Sequence, residues 1–311
     1  MARGDRAAAN IFVNSLVGLT TIGQCRLCRD NRPLVMSHII PAFVFRWQKR
    51  TGGPIRCTDN FNQRVQDGPK EPWLCLECEQ VFSRHEQKFS SLMMEKIPLP
   101  VSAIQYGPWL NAFLASLAWR TYHFCREHGR GGDYSAIQAA KMEQAEEAWR
   151  RYLLGSNHSI SEFPMFLIYF EKIEDHNLGD LPENWHRFQM RQITLDIAGS
   201  ERTLMTYTKF GPFTALGMIQ YRKREWEGVR VNAEGGRFPQ KKLVLPRALL
   251  PFFAEKARMT ADVQAQLSDK QKAKVSAEFE RRILSGEADG HHLDAILADA
   301  DTFGIDAVVK S

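Results

Sequence analysis

Two Cys-x-x-Cys pairs constrain this 311-residue chain more than anything else in it: Cys25-Arg26-Leu27-Cys28 and Cys75-Leu76-Glu77-Cys78, with 46 residues between them. A tight turn carrying two thiols points both sulfurs the same way. Two such turns brought face to face make a tetrahedral four-sulfur site of the kind that holds structural Zn²⁺. Such a site does not exist in the unfolded chain, so metal binding contributes directly to folding and fixes loops that a small core could not fix alone. The alternative is four reduced, buried or redox-active thiols. Of the six cysteines, four fall in these pairs. That usage points to metal in a reducing, cytoplasmic compartment rather than to disulfides. Cys57 and Cys125 are left over as core or free thiols.

Between and just after the pairs lie the other chemistry-bearing groups. Met36-Ser37-His38-Ile39-Ile40-Pro41 follows the first pair. Glu79 follows Cys78 directly and opens a helical run with Phe82, His85, Glu86 and Phe89. Glu86 is seven residues beyond Glu79, two helical turns on, so both carboxylates can face one side. With the two cysteine pairs, these elements resemble a zinc-stapled HNH endonuclease of the His-Me finger (ββα-metal) class, over residues 22–95. The resemblance implies a hairpin carrying a histidine, a loop, and a helix carrying a metal ligand. Position by position, His38 matches the general base, Glu79 the metal-binding His or Asn, and Asn60 or Asn62 the loop asparagine. Ser37 departs from the pattern, because the family places Asp, Glu or His there. Serine is a poor ligand for Mg²⁺, which prefers carboxylate oxygens and water. Asp67 or Glu71, in the intervening loop, would supply the missing carboxylate.

Phosphodiester hydrolysis needs an activated water and a way to offset charge on the phosphate and the leaving oxygen. A neutral histidine takes a proton from water near pH 7. Mg²⁺ or Mn²⁺, held by one or two carboxylates, polarises the phosphate. On this reading His38 is the base, and Glu79 with Asp67 or Glu86 forms the metal set. The plainer reading is that His38 packs beside the zinc and bonds a backbone carbonyl.

The formal net charge is +5, with a sequence pI near 8.9. That balance is compatible with a polyanionic partner. Residues 42–52 alternate aromatic and basic groups at helical spacing. Phe43 and Trp47 read as core, while Arg46, Lys49 and Arg50 read as phosphate contacts, extended by Arg56 and Arg64 along the loop. DNA is the expected partner and a protein the other candidate. No P-loop, dinucleotide fingerprint, nucleophile elbow or internal repeat is present.

The remaining pattern gives an α+β protein. The expected order is an N-terminal zinc-stapled ββα-metal-like module over 1–104, a helical hairpin over 105–158, and an antiparallel sheet with C-terminal helices over 159–311. Helices are expected over 106–127, with Pro108 in the first turn, and from Ser135 to about residue 154. Strands are expected over 164–170, 188–197, 204–221 (one or two) and 226–231, giving a sheet made positive by Lys209, Arg222, Lys223, Arg224, Lys241 and Lys242. Helices over 246–259, 268–284 and 291–301 close the chain. His291 and His292 are adjacent on a helix, point about 100° apart, and read as surface residues. His123 and His128 read as packing groups. Residues 11–22 read as a short helix beside the zinc module, with a weak likeness to a signal peptide. No apolar run reaches transmembrane length.

The function expected from these readings is a metal-dependent HNH-like endonuclease cutting DNA, with defence against foreign DNA as a role the resemblance allows. The alternative is a catalytically inactive zinc module that binds nucleic acid or a protein partner.

Overall fold

The computed structural model describes residues 21–52, 55–56, 64–99, 103–157, 159–172, 181–226, 229–239, 246–247, 249–285 and 290–309. Asn60, Asn62, Cys57, Lys241, Lys242 and the 1–20 segment lie outside them, and of Arg64 only the backbone is described.

Three strands open the described chain: β1 (Ile22–Gln24), β2 (Asn31–His38) and, after an excursion, β5 (Lys70–Cys75), in the order β1-β2-β5. All pairings are antiparallel, with Ser37 opposite Glu71 and His38 opposite Lys70. The excursion holds helix α1 (Ala42–Arg50) and the small pair β3 (Ile55–Arg56) and β4 (Arg64–Val65). Pro41 starts α1, in the role that suits a residue lacking an N–H donor. Phe43, Val44, Phe45 and Trp47 are buried, whereas Arg46, Lys49 and Arg50 are exposed, as the helical spacing requires. Gly68 is needed beneath α1, because a Cβ there would lie 2.2 Å from the Phe45 ring. Helix α2 (Leu76–Leu92) leaves β5 without a linker.

After β6 (Ile104–Tyr106) come α3 (Pro108–Glu127) and α4 (Ala136–Leu153). Pro108 sits in the first turn of α3, and Ser135 and Gln138 form a reciprocal capping box at the start of α4. The second sheet runs β7-β10-β9-β8, from β7 (Met165–Tyr169), β8 (Ile193–Gly199), β9 (Leu204–Phe210) and β10 (Phe213–Gln220), all antiparallel. Its strands β7 and β9 are buried at every position, because α3 covers one face and the helix over 249–265 packs on the other through Phe252 and Phe253. Gly211 turns β9 into β10 at φ +61° and lies against Trp47, so the hairpin tip packs on α1.

Three expectations are corrected here. Residues 188–191 are not strand: α5 (Trp185–Arg191) occupies them, and β8 starts only at Ile193. Trp185 and Phe188, three apart, are both buried and define a helical face that short-range alternation had masked. The 226–231 strand is reduced, among the described residues, to one isolated bridge between Arg230 and Phe166. The strand nearby is instead β11 (Gly236–Phe238), paired with β6. Lys209 is not on a solvated basic face: it is fully buried.

The last elements are α6 (Leu249–Ala265), α7 (Asp269–Leu284), α8 (Gly290–Phe303) and α9 (Asp306–Val309). Asp299 on α8 is wholly buried and accepts from the His186 amide and from Arg187 Nε, both at 2.7 Å, which ties α8 to α5. His291 is half-buried rather than a surface group. Its Nε2 lies 3.0 Å from the Ile97 carbonyl, and its ring lies against Trp47.

One apolar cluster runs from Cys25 through α2 and α3 to β9 and β10. Phe89 is at its centre, 4.4 Å from Phe113, 5.0 Å from Phe213 and 5.5 Å from Phe210 between ring centroids. The aromatic side of α2 is thereby fixed to the second sheet, and its opposite end is presented to the cysteines.

Candidate functional site

The Sγ atoms of Cys25, Cys28, Cys75 and Cys78 all lie within 4.8 Å of one another. Four sulfurs at that separation can hold one metal ion. The first pair sits on a turn in which Cys25 N donates to the Asp30 carbonyl, and Arg29 adopts the left-handed conformation at φ 67°. The second pair spans the junction of β5 and α2: Cys75 ends the strand and Cys78 lies in the first helical turn. The Cys75 amide also donates to Cys25 Sγ at 3.3 Å. Burial pushes the thiols of Cys78 and Cys75 up, Cys75 to about 11. A divalent cation between the sulfurs would reverse that preference by favouring thiolate.

The first turn is held from outside by arginines. Arg26 forms an ion pair with Glu127 and stacks on Trp73, with its guanidinium carbon 4.6 Å from the ring centroid. Arg29 Nη2 lies 2.7 Å from Glu147, and Arg150 Nη1 donates to the Leu27 carbonyl at 2.9 Å. The cysteine turn is thus docked on α3 and α4 as well as on its partner strand.

A second set of polar groups lies at the far end of β2. Consecutive strand residues send their side chains to different sides. Ser37, wholly buried, donates through Oγ to Glu79 at 2.6 Å. Glu79 lies in the first turn of α2, where the helix dipole favours a carboxylate. His38 instead meets Asp67, with Nε2 2.8 Å from Oδ2. Asp67 also faces Lys70 Nζ at 3.0 Å and accepts from the Gly68 amide at 2.9 Å. Burial would raise the Asp67 carboxyl, but the bonds from His38, Lys70 and Gly68 outweigh it and hold it at about 2.

The other candidate carboxylates have separate partners. Glu86 Oε1 is 2.8 Å from Arg120 Nη1, and Glu71 is 3.7 Å from His128. Among the described residues, the four cysteines are the only set of three or more His, Cys, Asp or Glu side chains that converges this closely. His85, on α2, is half-buried with Nδ1 unpartnered, and burial beside Lys88 and Arg84 lowers its pKa. Comparison of the chain with protein-family models, with curated proteins and with solved structures gives no match.

Of the basic groups, Arg46, Lys49 and Arg50 form an exposed edge of α1. Lys49 Nζ donates to the Gln66 carbonyl, one residue before Asp67, so this edge adjoins the His38 loop. Sequence reasoning missed Arg120, which is buried behind His38. The signal was present: Arg120 lies on the same face of α3 as Phe113 and Phe124, where a charged residue is out of place unless paired. It also missed Lys70, whose strand position opposite His38 places it beside Asp67. No helix among the described residues is long and apolar enough to cross a membrane.

Proposed function

We propose that this chain is a zinc-stapled, HNH-like endonuclease that hydrolyses DNA phosphodiester bonds at His38, with Zn²⁺ in the four-cysteine site as a structural ion. The observation that carries the reading is the His38–Asp67 contact of 2.8 Å at the end of β2, one residue from the Ser37–Glu79 contact of 2.6 Å at the start of the next helix. With Nε2–H donating to an ionised Asp67, Nδ1 is the nitrogen left to take a proton from water. Asp67 fixes the tautomer and offsets the charge that His38 acquires.

Glu79 is one carboxylate, and the buried Ser37 hydroxyl beside it is spent as a donor to it, so a hard cation held there would keep most of its water. Bound there, Mg²⁺ or Mn²⁺ would polarise the phosphate and support the leaving oxygen. Asp67 is engaged by His38 and Lys70, and Glu86 by Arg120, which leaves Glu79 as the carboxylate for such an ion. Arg46, Lys49 and Arg50 would meet backbone phosphates along α1.

The second reading is a zinc module that binds nucleic acid or a protein partner without cutting. The dispersal of Asp67, Glu71, Glu79 and Glu86 onto separate partners favours it. Incubation of plasmid and single-stranded DNA with Mg²⁺ or Mn²⁺ separates the two. The nuclease gives metal-dependent cutting that His38→Ala and Glu79→Ala abolish while zinc and fold are retained. DNA binding without cutting, unchanged in both variants, supports the binding module.

A further inference from the structure

Arg120 is the charge least expected from its surroundings. Only 1% of it is exposed, and its guanidinium carbon lies 5.0 Å from the centroid of the Phe82 ring. Taking a charge out of water costs several kcal/mol unless it is paired and hydrogen-bonded. Each side-chain nitrogen of Arg120 meets that condition. Nε donates to the Ser116 carbonyl at 3.2 Å, Nη2 to Ser116 Oγ at 3.1 Å, and Nη1 to the backbone carbonyl of His38 at 2.8 Å. Glu86 Oε1 forms an ion pair with the same Nη1 at 2.8 Å, while the directed hydrogen bond from that nitrogen goes to the His38 carbonyl. Glu86 therefore acts as the counter-charge, and His38 takes the directed bond.

Packed apolar residues of similar volume often match or exceed a buried ion pair in stability. What they cannot supply is direction. A guanidinium is planar and its donors are fixed in a fork. The guanidinium links three elements: its own helix α3, where Ser116 fixes the fork, the last residue of β2 through the directed bond to the His38 carbonyl, and α2 through the ion pair with Glu86. Helix α2 also carries Glu79, seven residues before Glu86. The fork thus sets the His38 backbone relative to the helix that holds Glu79.

We propose that Arg120 is a positioning residue for His38, with Glu86 as its counter-charge. The catalytic consequence rests on the nuclease reading above; the contact itself is testable without it.

The test uses the full chain loaded with zinc, as wild type, Arg120→Lys and Glu86→Gln, each checked for zinc content and thermal midpoint. Arg120→Lys keeps the charge and removes the fork, whereas Glu86→Gln keeps the fork and removes the counter-charge. Two quantities are read. One is kcat and KM for plasmid cleavage with Mg²⁺. The other is the set of imidazole nitrogen resonances of His38 at one fixed pH, which reports its tautomer and its bond to Asp67. In Arg120→Lys, kcat falls about 10–100-fold at unchanged KM, as expected for a reacting group misplaced by about an ångström, and the His38 resonances move. Glu86→Gln gives smaller changes in the same direction, and it carries the test if Arg120→Lys does not fold. If wild type does not cut DNA but the His38 resonances move, the nuclease reading fails and the positioning contact stands. If the thermal midpoint falls while kcat and the His38 resonances stay as in wild type, Arg120 is structural only and the proposal is overturned.

Discussion

Replacing Lys209 by methionine should change the protein's stability by an amount that depends on pH, with the sign of that dependence fixed by the structure. Lys209 is fully buried on β9, against the Phe170 ring. Its Nζ donates to the carbonyls of Gln189 and Gly211, both at 2.6 Å. Burial holds its pKa well below the usual lysine value, and among the described residues no carboxylate opposes that shift. Methionine fills similar space but leaves two buried carbonyls without a donor, at about 1–3 kcal/mol each. Above the unfolded lysine's pKa of about 10.4, where the amine is neutral in both states, the deficit of Lys209→Met is therefore about 2–6 kcal/mol. At lower pH the unfolded lysine, with a pKa of about 10.4, binds a proton that the folded amine resists. The unfolded state then holds more protons, so wild-type stability falls as pH falls below that value, by up to about 1.4 kcal/mol per pH unit. This dependence ends once pH drops below the folded-state pKa. The methionine variant has no such term, and other titrating groups cancel in the comparison. Its deficit should shrink as pH is lowered. Urea unfolding of both proteins at pH 7, 8 and 9, at constant zinc, measures this difference. A deficit that is constant over the range, or that grows as pH falls, would refute the reasoning.

Three further outcomes follow from the packing and the site. Removing the metal with a strong chelator, or Cys78→Ser, should lower the thermal midpoint and expose the 25–30 turn to protease, read by limited proteolysis and mass spectrometry, because the arginine contacts alone do not fix the sulfurs. Phe89→Ala should cost about 3–5 kcal/mol in chemical unfolding, since the ring fills the junction of α2, α3 and the second sheet. Asp67 has its folded pKa lowered to about 2, so it stabilises the fold at neutral pH and loses that contribution as pH falls from about 4 towards about 2; Asp67→Asn should flatten wild-type acid unfolding in that window.

The sequence was most legible where a pattern is local. Two cysteines three residues apart must share a turn, and the spacing of Phe43, Trp47, Phe82 and Phe89 marks buried helical faces. Ser135 reads as the start of a helix, and the structure places it there as one half of a capping box with Gln138. What escaped depends on residues brought together from far apart. Arg120 reaches His38 across 82 residues, and Asp67 reaches it across 29. Neither distance follows from a local spacing rule. From sequence alone Lys209 belongs to a solvated basic sheet face, because it lies in a strand of ordinary appearance. Only the stacking of helices on both faces of the sheet buries it, and the carbonyls that accept its protons come from the end of α5 and the next turn. The 185–191 helix was hidden for a similar reason: seven residues carry too few periods to separate helical from alternating burial, and contact with α8 decides the matter.

The most direct measurement is chemical rescue at His38. Zinc-loaded His38→Gly would be incubated with supercoiled plasmid and Mg²⁺, with and without added imidazole, beside wild type and a chelator control. The account predicts that wild type cuts only with the divalent ion, that His38→Gly does not, and that imidazole restores cutting in a concentration-dependent way by supplying the missing base. A wild type that binds DNA without cutting it, or a His38→Gly protein that cuts as fast as wild type without imidazole, would contradict the assignment of His38 as the base of a nuclease.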